Sequence, residues 1–440
     1  MKKILMIILI AGSLLAQERI LTLEESLKLG LQNSKDLKIS QSKINYSDAK
    51  LSEINSQFLP QFKLFGNYTR FSDNIPAFEF SSPFFPTPLK ISEPLYNNYT
   101  FKLGFTQPIF TGFKLLSSRS AAKYNLQASE IDYSKEENEV AFNIYNAFWN
   151  YYKAEEVRNV IAQTLKQIED HLNDTQNFFD QGLISKNDLL KLEVQYSNTQ
   201  LMLIEAENNM KIARIAFNKA LGIDLDSQTK VAADKQSLNS FSYDLSEIIS
   251  EALTNRQELK SLAYRVEASK DGITAASSTL FPSVYLTANY NYNNPNQKFQ
   301  PVKDEFNYNW DVGVTLSWDV WNWGLTSSQV SQAEQTKIQL ETNYDQLKEN
   351  IQLEVHSNYL NLLKTDEKVK VNKIALEQAS ENYRIVAEKY NIQLASSTEL
   401  IDAETLKLQA ETNLKIAEAD YQIAKVRIEK AIGRKIYLNK

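Results

Sequence analysis

The sequence of 440 residues has no cysteine, only two histidines, 11 glycines and 10 prolines. Without cysteine the chain can form no disulfide, no cysteine-ligated zinc site and no iron–sulfur centre. The scarcity of histidine and the absence of dinucleotide-binding and P-loop glycine motifs argue against a metal site, a cofactor and an enzyme. His171 and His356 fall within long helical stretches, where we expect packing or surface residues. The net charge of −6, without basic clusters, argues against nucleic acid as a partner.

The N-terminus has the pattern of a secretory signal. Lys2 and Lys3 form a short positive region, and residues 4–16 form an apolar run that ends at Ala16. This run is shorter than the roughly 20 residues that a membrane-spanning helix needs. We therefore expect residues 1–16 to be a signal peptide that is removed on export, with a buried N-terminal helix as the alternative. No later stretch approaches 20 apolar residues, so any insertion into a membrane would have to use β-strands.

The chain contains an internal repeat. Residues 23–68 align without a gap on residues 245–290, and further along Ser185 aligns with Ser396. We predict a first repeat over 17–222, a polar linker over 223–243 and a second repeat over 244–440. Each repeat is predicted to contain short helices, two strands and a long helical hairpin. A repeat of this kind is typical of a symmetric scaffold.

Four segments alternate apolar and polar residues with a period of two, which predicts β-strands at about 60–71, 99–110, 283–293 and 307–321. Each is close to the roughly 10 residues of a tilted membrane-spanning strand, and Trp and Tyr crowd the ends as they do at membrane interfaces. A half-buried antiparallel sheet in a soluble protein would give the same alternation. The export signal favours the membrane. The last segment alternates most clearly, with apolar Tyr308, Trp310, Val312, Val314, Leu316, Trp318 and Val320.

A long helical hairpin is predicted after each pair of strands, at about 114–221 and 325–432. The first arm of each hairpin has no proline, and a helix of about 65 residues would be about 100 Å long. Apolar residues recur at spacings of three and four, which indicates helix–helix packing, although polar residues interrupt the pattern. A wide, hollow bundle of helices tolerates this mixture better than a two-stranded zipper does.

Four strands are too few to form a closed wall in lipid. Unpaired backbone groups are costly there, so membrane strands close into barrels, and closed single-chain barrels start at about eight strands. Two chains would supply eight strands, enough for a barrel filled by its own side chains. Three chains would supply twelve, with space for a channel. Composition does not choose between the two, although the width of the pore favours three.

The order and duplication of these elements resemble those of the TolC-type outer-membrane efflux and secretion channels. The resemblance covers nearly all of the mature chain and includes Leu59-Pro60, Phe281-Pro282, residues 106–112 (TQPIFTG), residues 181–189 (QGLISKNDL) and the Ala-Leu-Gly and Ala-Ile-Gly helix ends. It implies an α+β membrane protein. Specifically, it implies a homotrimer whose 12-stranded transmembrane β-barrel is continued by an α-helical barrel across the periplasm. It further implies docking to an inner-membrane pump through a periplasmic adaptor (membrane fusion) protein.

The resemblance also implies roles for residues at the hairpin tips. It implies adaptor contacts at the two tips and acidic residues at a periplasmic entrance, where three copies would form carboxylate rings that attract cations. Acidic residues are favoured at any exposed helix N-terminus, so an ordinary solvated helix end is the alternative. The implied tip residues are Gly182, Leu183, Ser185, Leu394 and Ser396. The implied entrance residues are Glu399, Asp402 and Asp188, the counterpart of Glu399, with Tyr390 available for a hydrogen bond at the tip.

We expect the protein to be a passive exit duct in the outer membrane of a Gram-negative type of envelope, extending into the periplasm. It would serve a tripartite efflux pump or a type I secretion system, with small molecules or polypeptides as cargo. The alternative is a secreted coiled-coil structural or adhesion protein. The loop over 72–98, rich in proline and phenylalanine, is expected to be extracellular, where it would cap the mouth, pack against neighbouring subunits or vary freely. The loop over 294–306 is its shorter counterpart.

Overall fold

The computed structural model describes residues 19–84, 86–233, 243–300 and 302–437. The expected signal peptide, 1–16, lies outside the described residues. The chain divides into two compact units, each assembled from both halves of the sequence. We call residues 43–130 and 261–344 the strand unit. The described parts of 1–42, 131–260 and 345–440 are the helical unit.

The two halves of the chain contain the same main elements in the same order. The first half comprises β1 (Arg19–Thr22), α1 (Leu23–Asn33), α2 (Lys35–Ser56), β2 (Gln61–Arg70), β3 (Phe78–Phe80), β4 (Leu89–Ser92), β5 (Asn97–Thr111), α3 (Lys114–Asp180) and α4 (Lys186–Leu221). The second comprises β6 (Thr229–Ala232), α5 (Leu245–Asn255), α6 (Gln257–Ala276), a 3₁₀ turn (Ser277–Leu280), β7 (Ser283–Asn294), β8 (Asn307–Ser317), α7 (Leu325–Asn391) and α8 (Ser397–Ile432).

Local sequence explains where the helices begin and end. Thr22 and Glu25 form a capping box at the start of α1, and Asp244 caps α5 at the corresponding place. The return helices α4 and α8 end at Gly222 and Gly433, both in the left-handed conformation. The long helices α3 and α7 each have 67 residues, and α4 and α8 each have 36.

The strand unit contains a four-stranded antiparallel sheet in the order β2-β5-β7-β8. Its register separates two faces. One face is apolar, since Leu103 lies beside Tyr290 and Tyr290 beside Trp310. On the other face Thr100 lies beside Asn293 and Lys102 beside Asn291. The alternation that predicts the strands from sequence therefore sorts side chains onto two chemically distinct surfaces.

The strands differ from the predicted segments at two places. The last strand, predicted to reach residue 321, ends at Ser317, because the chain turns there and enters α7 through Trp323 and Gly324, both with positive φ. Trp318 and Val320 continue the alternating sequence pattern, but they lie beyond the end of the strand. Within the loop predicted over 72–98, the short strands β3 and β4 pair as a hairpin that the sequence pattern did not predict.

The core of the helical unit packs α1, α3 and α4 around large apolar side chains, among them Ile144, Phe148 and Phe217. A Cβ at Gly30 would lie 2.4 Å from Ile144 Cδ1, so a larger residue there would displace the Ile144 side chain from its place between α1 and α3. The predicted linker is not wholly irregular. It contains β6, which pairs in parallel with β1, and Tyr151 fastens β6 by donating its hydroxyl to Thr229 O at 2.8 Å.

Within the described residues, no helix combines the length and the apolar composition needed to cross a membrane.

Candidate functional site

The first hairpin tip is a tight turn between α3 and α4. Gly182 adopts φ +74°, and the N–H groups of Gly182 and Leu183 donate to the carbonyls of Phe179 and Phe178 at 2.8 and 2.9 Å. This is a Schellman motif, which satisfies the last carbonyls of α3. Ser185 then caps α4, because its Oγ accepts the N–H of Asp188 at 3.3 Å.

The second tip has the same backbone geometry with different residues. Leu394 N–H donates to Lys389 O at 2.8 Å, and Gln393 takes the position that Gly182 occupies in the first tip, at φ +61°. A side chain in this conformation costs about 1–2 kcal/mol, which glycine avoids. Ser396 caps α8 in a full capping box with Glu399, since Glu399 Oε2 also accepts the Ser396 N–H at 2.7 Å.

The predicted acidic residues lie in the first turns of the two return helices. Glu399 and Asp188 both occupy the third helical position, and each carboxylate accepts a hydrogen bond from the serine cap of its own helix. The backbone and side-chain hydrogen bonds from Ser396 lower the pKa of Glu399, so its charge persists over a wider range of pH. Asp402 is exposed one turn further along α8. Three carboxylates are therefore presented near the tips.

Contacts between the return helices hold the two tips side by side. Lys191 Nζ on α4 donates to Thr398 Oγ1 on α8 at 3.0 Å, and Gln195 Nε2 donates to Thr405 Oγ1 at 3.4 Å. The N-terminal parts of α4 and α8 thus lie side by side. The carboxylates of Asp188 and Glu399 nevertheless each bond to the serine cap of their own helix.

Tyr390 joins three helices just behind the second tip. Its side chain is buried, and its hydroxyl lies 2.7 Å from Thr175 Oγ1 on α3 and 3.5 Å from Ser397 Oγ on α8. The Phe178 ring packs edge-on against the Tyr390 ring at 6.3 Å. The hydroxyl of Tyr390 therefore makes a hydrogen bond between α7 and α3. A hydrogen bond of Tyr390 at the tip was predicted from the resemblance, whereas its partner Thr175 was not.

A second polar contact lies further along the same three helices, and the sequence alone did not predict it. His171 Nε2 on α3 lies 3.0 Å from the Tyr383 hydroxyl on α7 and 3.3 Å from Glu404 Oε1 on α8. Glu404 is only 3% exposed. Within the described part of the chain, neither of its carboxylate oxygens has a hydrogen-bond partner. His171 is therefore not a plain packing or surface residue, as the sequence suggested, but part of a buried polar cluster.

Burial controls the charge of this cluster. Desolvation raises the pKa of Glu404 to about 7, against a weaker opposite effect of Lys407, whose ammonium lies over the Tyr383 ring. Desolvation also lowers the pKa of His171, against the nearby carboxylates of Asp174 and Asp170. Both shifts favour the neutral forms, as expected for groups removed from water.

Both tips expose large apolar side chains. Leu183 is 50% exposed and Leu394 is 74% exposed, and Ile392 is exposed beside it. Exposed apolar residues at the end of a helical hairpin are typical of a surface that contacts another molecule. Gly182, Ser185 and Ser396, by contrast, shape and cap the turns.

The apolar face of the sheet is open to the surroundings of the chain. Trp310 is 70% exposed, and its neighbours on the same face are similarly exposed. A contiguous apolar surface of this kind is costly to expose to water and is typical of strands that contact lipid. The exposed members of this face include Phe62, Leu64, Tyr68, Phe101, Leu103, Tyr290, Tyr292, Tyr308, Trp310, Val312, Val314 and Leu316.

No group of three or more His, Cys, Asp or Glu side chains that could hold a metal ion occurs among the residues that the structure describes.

A family model described as outer membrane efflux protein matches residues 27–223 and 248–434, once for each half. The chain belongs to the outer membrane efflux protein family. The predicted resemblance is thereby confirmed. As a member of this family, the protein is a passive exit channel of efflux systems and not an enzyme. It is located in the outer membrane and extends into the periplasm.

Known proteins agree with this assignment. This efflux channel is similar to the outer membrane protein TolC of Vibrio cholerae, with 22% identity over 75% of this chain and 76% of that protein. It is 19% identical to TolC of Escherichia coli, over 87% of this chain and 76% of that protein.

Solved structures confirm the fold. The Campylobacter jejuni CmeC outer membrane channel superposes with a TM-score of 0.80 at 19% identity, covering 93% of this chain and 85% of that one. VceC of Vibrio cholerae superposes with a TM-score of 0.76 at 15% identity, covering 94% and 96%.

Proposed function

We propose that three copies of the chain form one tube, a 12-stranded β-barrel in the outer membrane continued by an α-helical barrel in the periplasm. The strand order supports this proposal, because β2 and β8 are the edges of the sheet and have no further strand partner among the described residues. An edge in lipid leaves backbone groups unsatisfied. Pairing β8 of one copy with β2 of the next would remove both edges and close a ring.

The long helices support the same arrangement. Apolar side chains on α4 and α7 are exposed in the single chain, and contact with neighbouring copies would bury them. They include Val194, Leu201, Ile204 and Ile212 on α4, and Leu353, Leu360, Val371 and Ile374 on α7.

The need for a duct favours three copies over two. Two copies would give eight strands, and a barrel of that size is filled by its own side chains. Three copies give twelve strands and leave space for cargo. The polar face of the sheet, with Thr100, Asn291 and Asn309, would then line the lumen, and the apolar face would contact the lipid of the outer membrane.

We propose that the hairpin tips form the periplasmic entrance of this duct. Gly182, Leu183 and Ser185, with Leu394 and Ser396, would contact a periplasmic adaptor protein, and through it an inner-membrane pump that supplies the energy. The exposure of Leu183 and Leu394 supports this contact. The cargo would be small molecules or polypeptides, in a tripartite efflux pump or a type I secretion system. The alternative, a secreted coiled-coil adhesin, is not favoured by the family match.

Three copies of Glu399 and Asp402 would place rings of carboxylates at the entrance, near Asp188. Such rings attract cations and repel anions. The hydrogen bond between Tyr390 and Thr175 would hold α7 against α3 in a narrowed state of the entrance. Breaking that bond would free the second hairpin to move outward.

The ring proposal is tested by cation preference in planar bilayers. Glutamine also serves at the third position of a capping box, so Glu399→Gln removes the charge while it preserves the cap. We expect Glu399→Gln with Asp402→Asn to lower the preference for K⁺ over Cl⁻. The matched control is Glu205→Gln, which removes an exposed carboxylate of α4 away from the tips. Unchanged selectivity in the double variant would refute the rings.

A separate experiment tests the role of Tyr390. Tyr390→Phe retains the buried ring and removes only the hydroxyl that bonds Thr175, so we expect a larger mean conductance. Thr175→Val should have the same effect, because it removes the partner of the same bond. A conductance equal to that of the wild type in both variants would show that this bond does not narrow the entrance.

A further inference from the structure

A recess of about 460 Å³ lies on the polar face of the sheet, at the end where β7 turns into β8. The side chains at its base come from β5, β7 and β8 and are mostly amides. Residues 295–298 of the β7–β8 loop form its other wall. The main amide and acidic side chains at the base are Asn98, Asn291, Asn293, Asn309 and Asp311.

The side chain of Asn296 holds the β7–β8 loop against the polar face of the sheet through hydrogen bonds. Asn296 is 3% exposed, and its Nδ2 donates to Asn309 Oδ1 at 3.0 Å and to Asn307 O at 3.1 Å. Its Oδ1 accepts the backbone N–H of Lys298 at 3.1 Å. Both ends of this buried amide are thus satisfied, which makes Asn296 costly to replace with an apolar residue. The first residues of the loop therefore lie over the polar face of the sheet.

The lining of the recess offers hydrogen bonds with little net charge. Asp311 accepts hydrogen bonds from Asn289 Nδ2 at 2.7 Å and from Asn291 Nδ2 at 3.4 Å. Lys298 and Lys102 lie near enough for their positive charges to act on the Asp311 carboxylate. Asn293 Oδ1 is buried and has no hydrogen-bond partner within the described residues. Amide donors and acceptors thus dominate the recess.

We infer that residues 295–298 fold into the lumen and form, with the asparagine-rich ends of β5, β7 and β8, an outer constriction of the channel. The inference rests on the proposed function, because the polar face surrounds a lumen only if several copies close the barrel. Three copies would place three such loops at the extracellular mouth. Passage there would depend on width and on hydrogen bonding, as in other pores lined by neutral polar groups.

The absence of cysteine makes the constriction directly testable, since every introduced thiol is unique. Lys298 lines the recess, whereas Lys303 is an exposed residue of the same loop that does not. Lys298→Cys and Lys303→Cys would each be labelled with a bulky maleimide, labelling would be verified by mass, and single-channel conductance would be recorded in planar bilayers. The unmodified wild type, treated with the same reagent, serves as a second control.

We expect the labelled Lys298→Cys channel to lose most of its conductance, and the labelled Lys303→Cys and wild-type channels to retain theirs. A labelled Lys298→Cys channel that conducts as before, or an equal block in both variants, would overturn the constriction. A wild-type protein that forms no channel at all would instead contradict the proposed function.

A second pair of variants tests whether Asn296 holds the loop in place. Asn296→Ala removes three hydrogen bonds of the loop and should raise the conductance. In Asn307→Ala the backbone carbonyl that Asn296 contacts remains, and only an exposed bond to Glu305 is lost, so the conductance should not change. Equal conductance in the two variants would show that Asn296 does not hold the loop in the lumen.

Discussion

The two return helices have the same length and the same position in their repeats, yet they bury different amounts of their surfaces. Of the 36 residues in each helix, α8 buries 15 and α4 buries seven. Tyr421 and Ile428 of α8 are enclosed within the chain, whereas Leu201 and Ile204 of α4 are exposed. The two repeats thus share one architecture. Their side chains have diverged, so that α8 is largely buried within the chain whereas α4 is largely exposed.

The same divergence changes the surroundings of equivalent residues. Glu193 and Glu404 occupy equivalent positions, but Glu193 is exposed whereas Glu404 is buried beside His171. At the tips, Gly182 is replaced by the strained Gln393. Tyr383, Tyr390 and Glu404 of the second hairpin thus make polar contacts with α3 of the first.

The largest expected difference between the repeats is in the pH dependence of stability. The rise in the pKa of Glu404 from 4.5 to about 7 corresponds to about 3 kcal/mol per chain when the carboxyl is ionised. Below pH 4.5 Glu404 is protonated in both the folded and the unfolded state. Between pH 4.5 and 7 only the folded state retains the proton, so stability is progressively lost as the pH rises.

Glu404→Gln should therefore stabilise the protein at pH 8 and have little effect at pH 4, as measured by thermal unfolding followed by circular dichroism in detergent. Glu193→Gln is the matched control and should follow the wild type at both values. His171 has the opposite pH dependence, because its lowered pKa reduces the stability of the fold as the pH falls below 6.5. The wild type and both variants retain His171, so this contribution does not distinguish them. A wild type and a Glu404→Gln variant with the same pH profile would refute the account of this cluster.

The two repeats are expected to differ less in the stability that their serine helix caps contribute. Ser185→Ala should cost about 1 kcal/mol, the usual value for loss of an N-cap. Ser396→Ala should cost somewhat more, because loss of the hydroxyl also weakens the bond from the Ser396 N–H to Glu399, which completes a capping box that the first tip lacks. Denaturant unfolding of the two variants in detergent measures both effects. A larger loss for Ser185→Ala would reverse the proposed order of the two caps.

The smallest effects, of opposite sign, are expected at the turn position of the tips. Gly182→Ala should destabilise by about 1 kcal/mol, because φ is +74° there, while Gln393→Gly should stabilise by a fraction of that amount after the cost of glycine flexibility. Thermal unfolding of both variants tests the pair. Stabilisation by Gly182→Ala, or clear destabilisation by Gln393→Gly, would show that backbone conformation does not control these turns.

Regular patterns made much of the fold predictable. A period of two is visible wherever one face of a strand is apolar, so the four strands of the sheet could be located, although not the end of β8 at Ser317. The pairing of β1 with β6 could not be foreseen, because each has only four residues and the partners are far apart in the sequence. Short strands carry too little periodicity to be recognised.

The place of the tip residues at the ends of the hairpins was predictable from the resemblance, but the buried contacts were not. Glu404, His171 and Tyr383 come from three different helices, and nothing in the local sequence shows that they meet. The equivalence of Glu193 and Glu404 was visible, but the burial of only one of them depends on the packing of α8. Tertiary packing, and not local pattern, determines which acid is desolvated.

The central claim is that several copies share one wall around a common lumen. Native mass spectrometry of the full-length mature protein, extracted from membranes in mild detergent, tests this claim most directly. The account predicts a species of three copies that dissociates only when the fold is lost. A natively folded single copy as the main species, with its apolar strand face covered only by detergent, would contradict it.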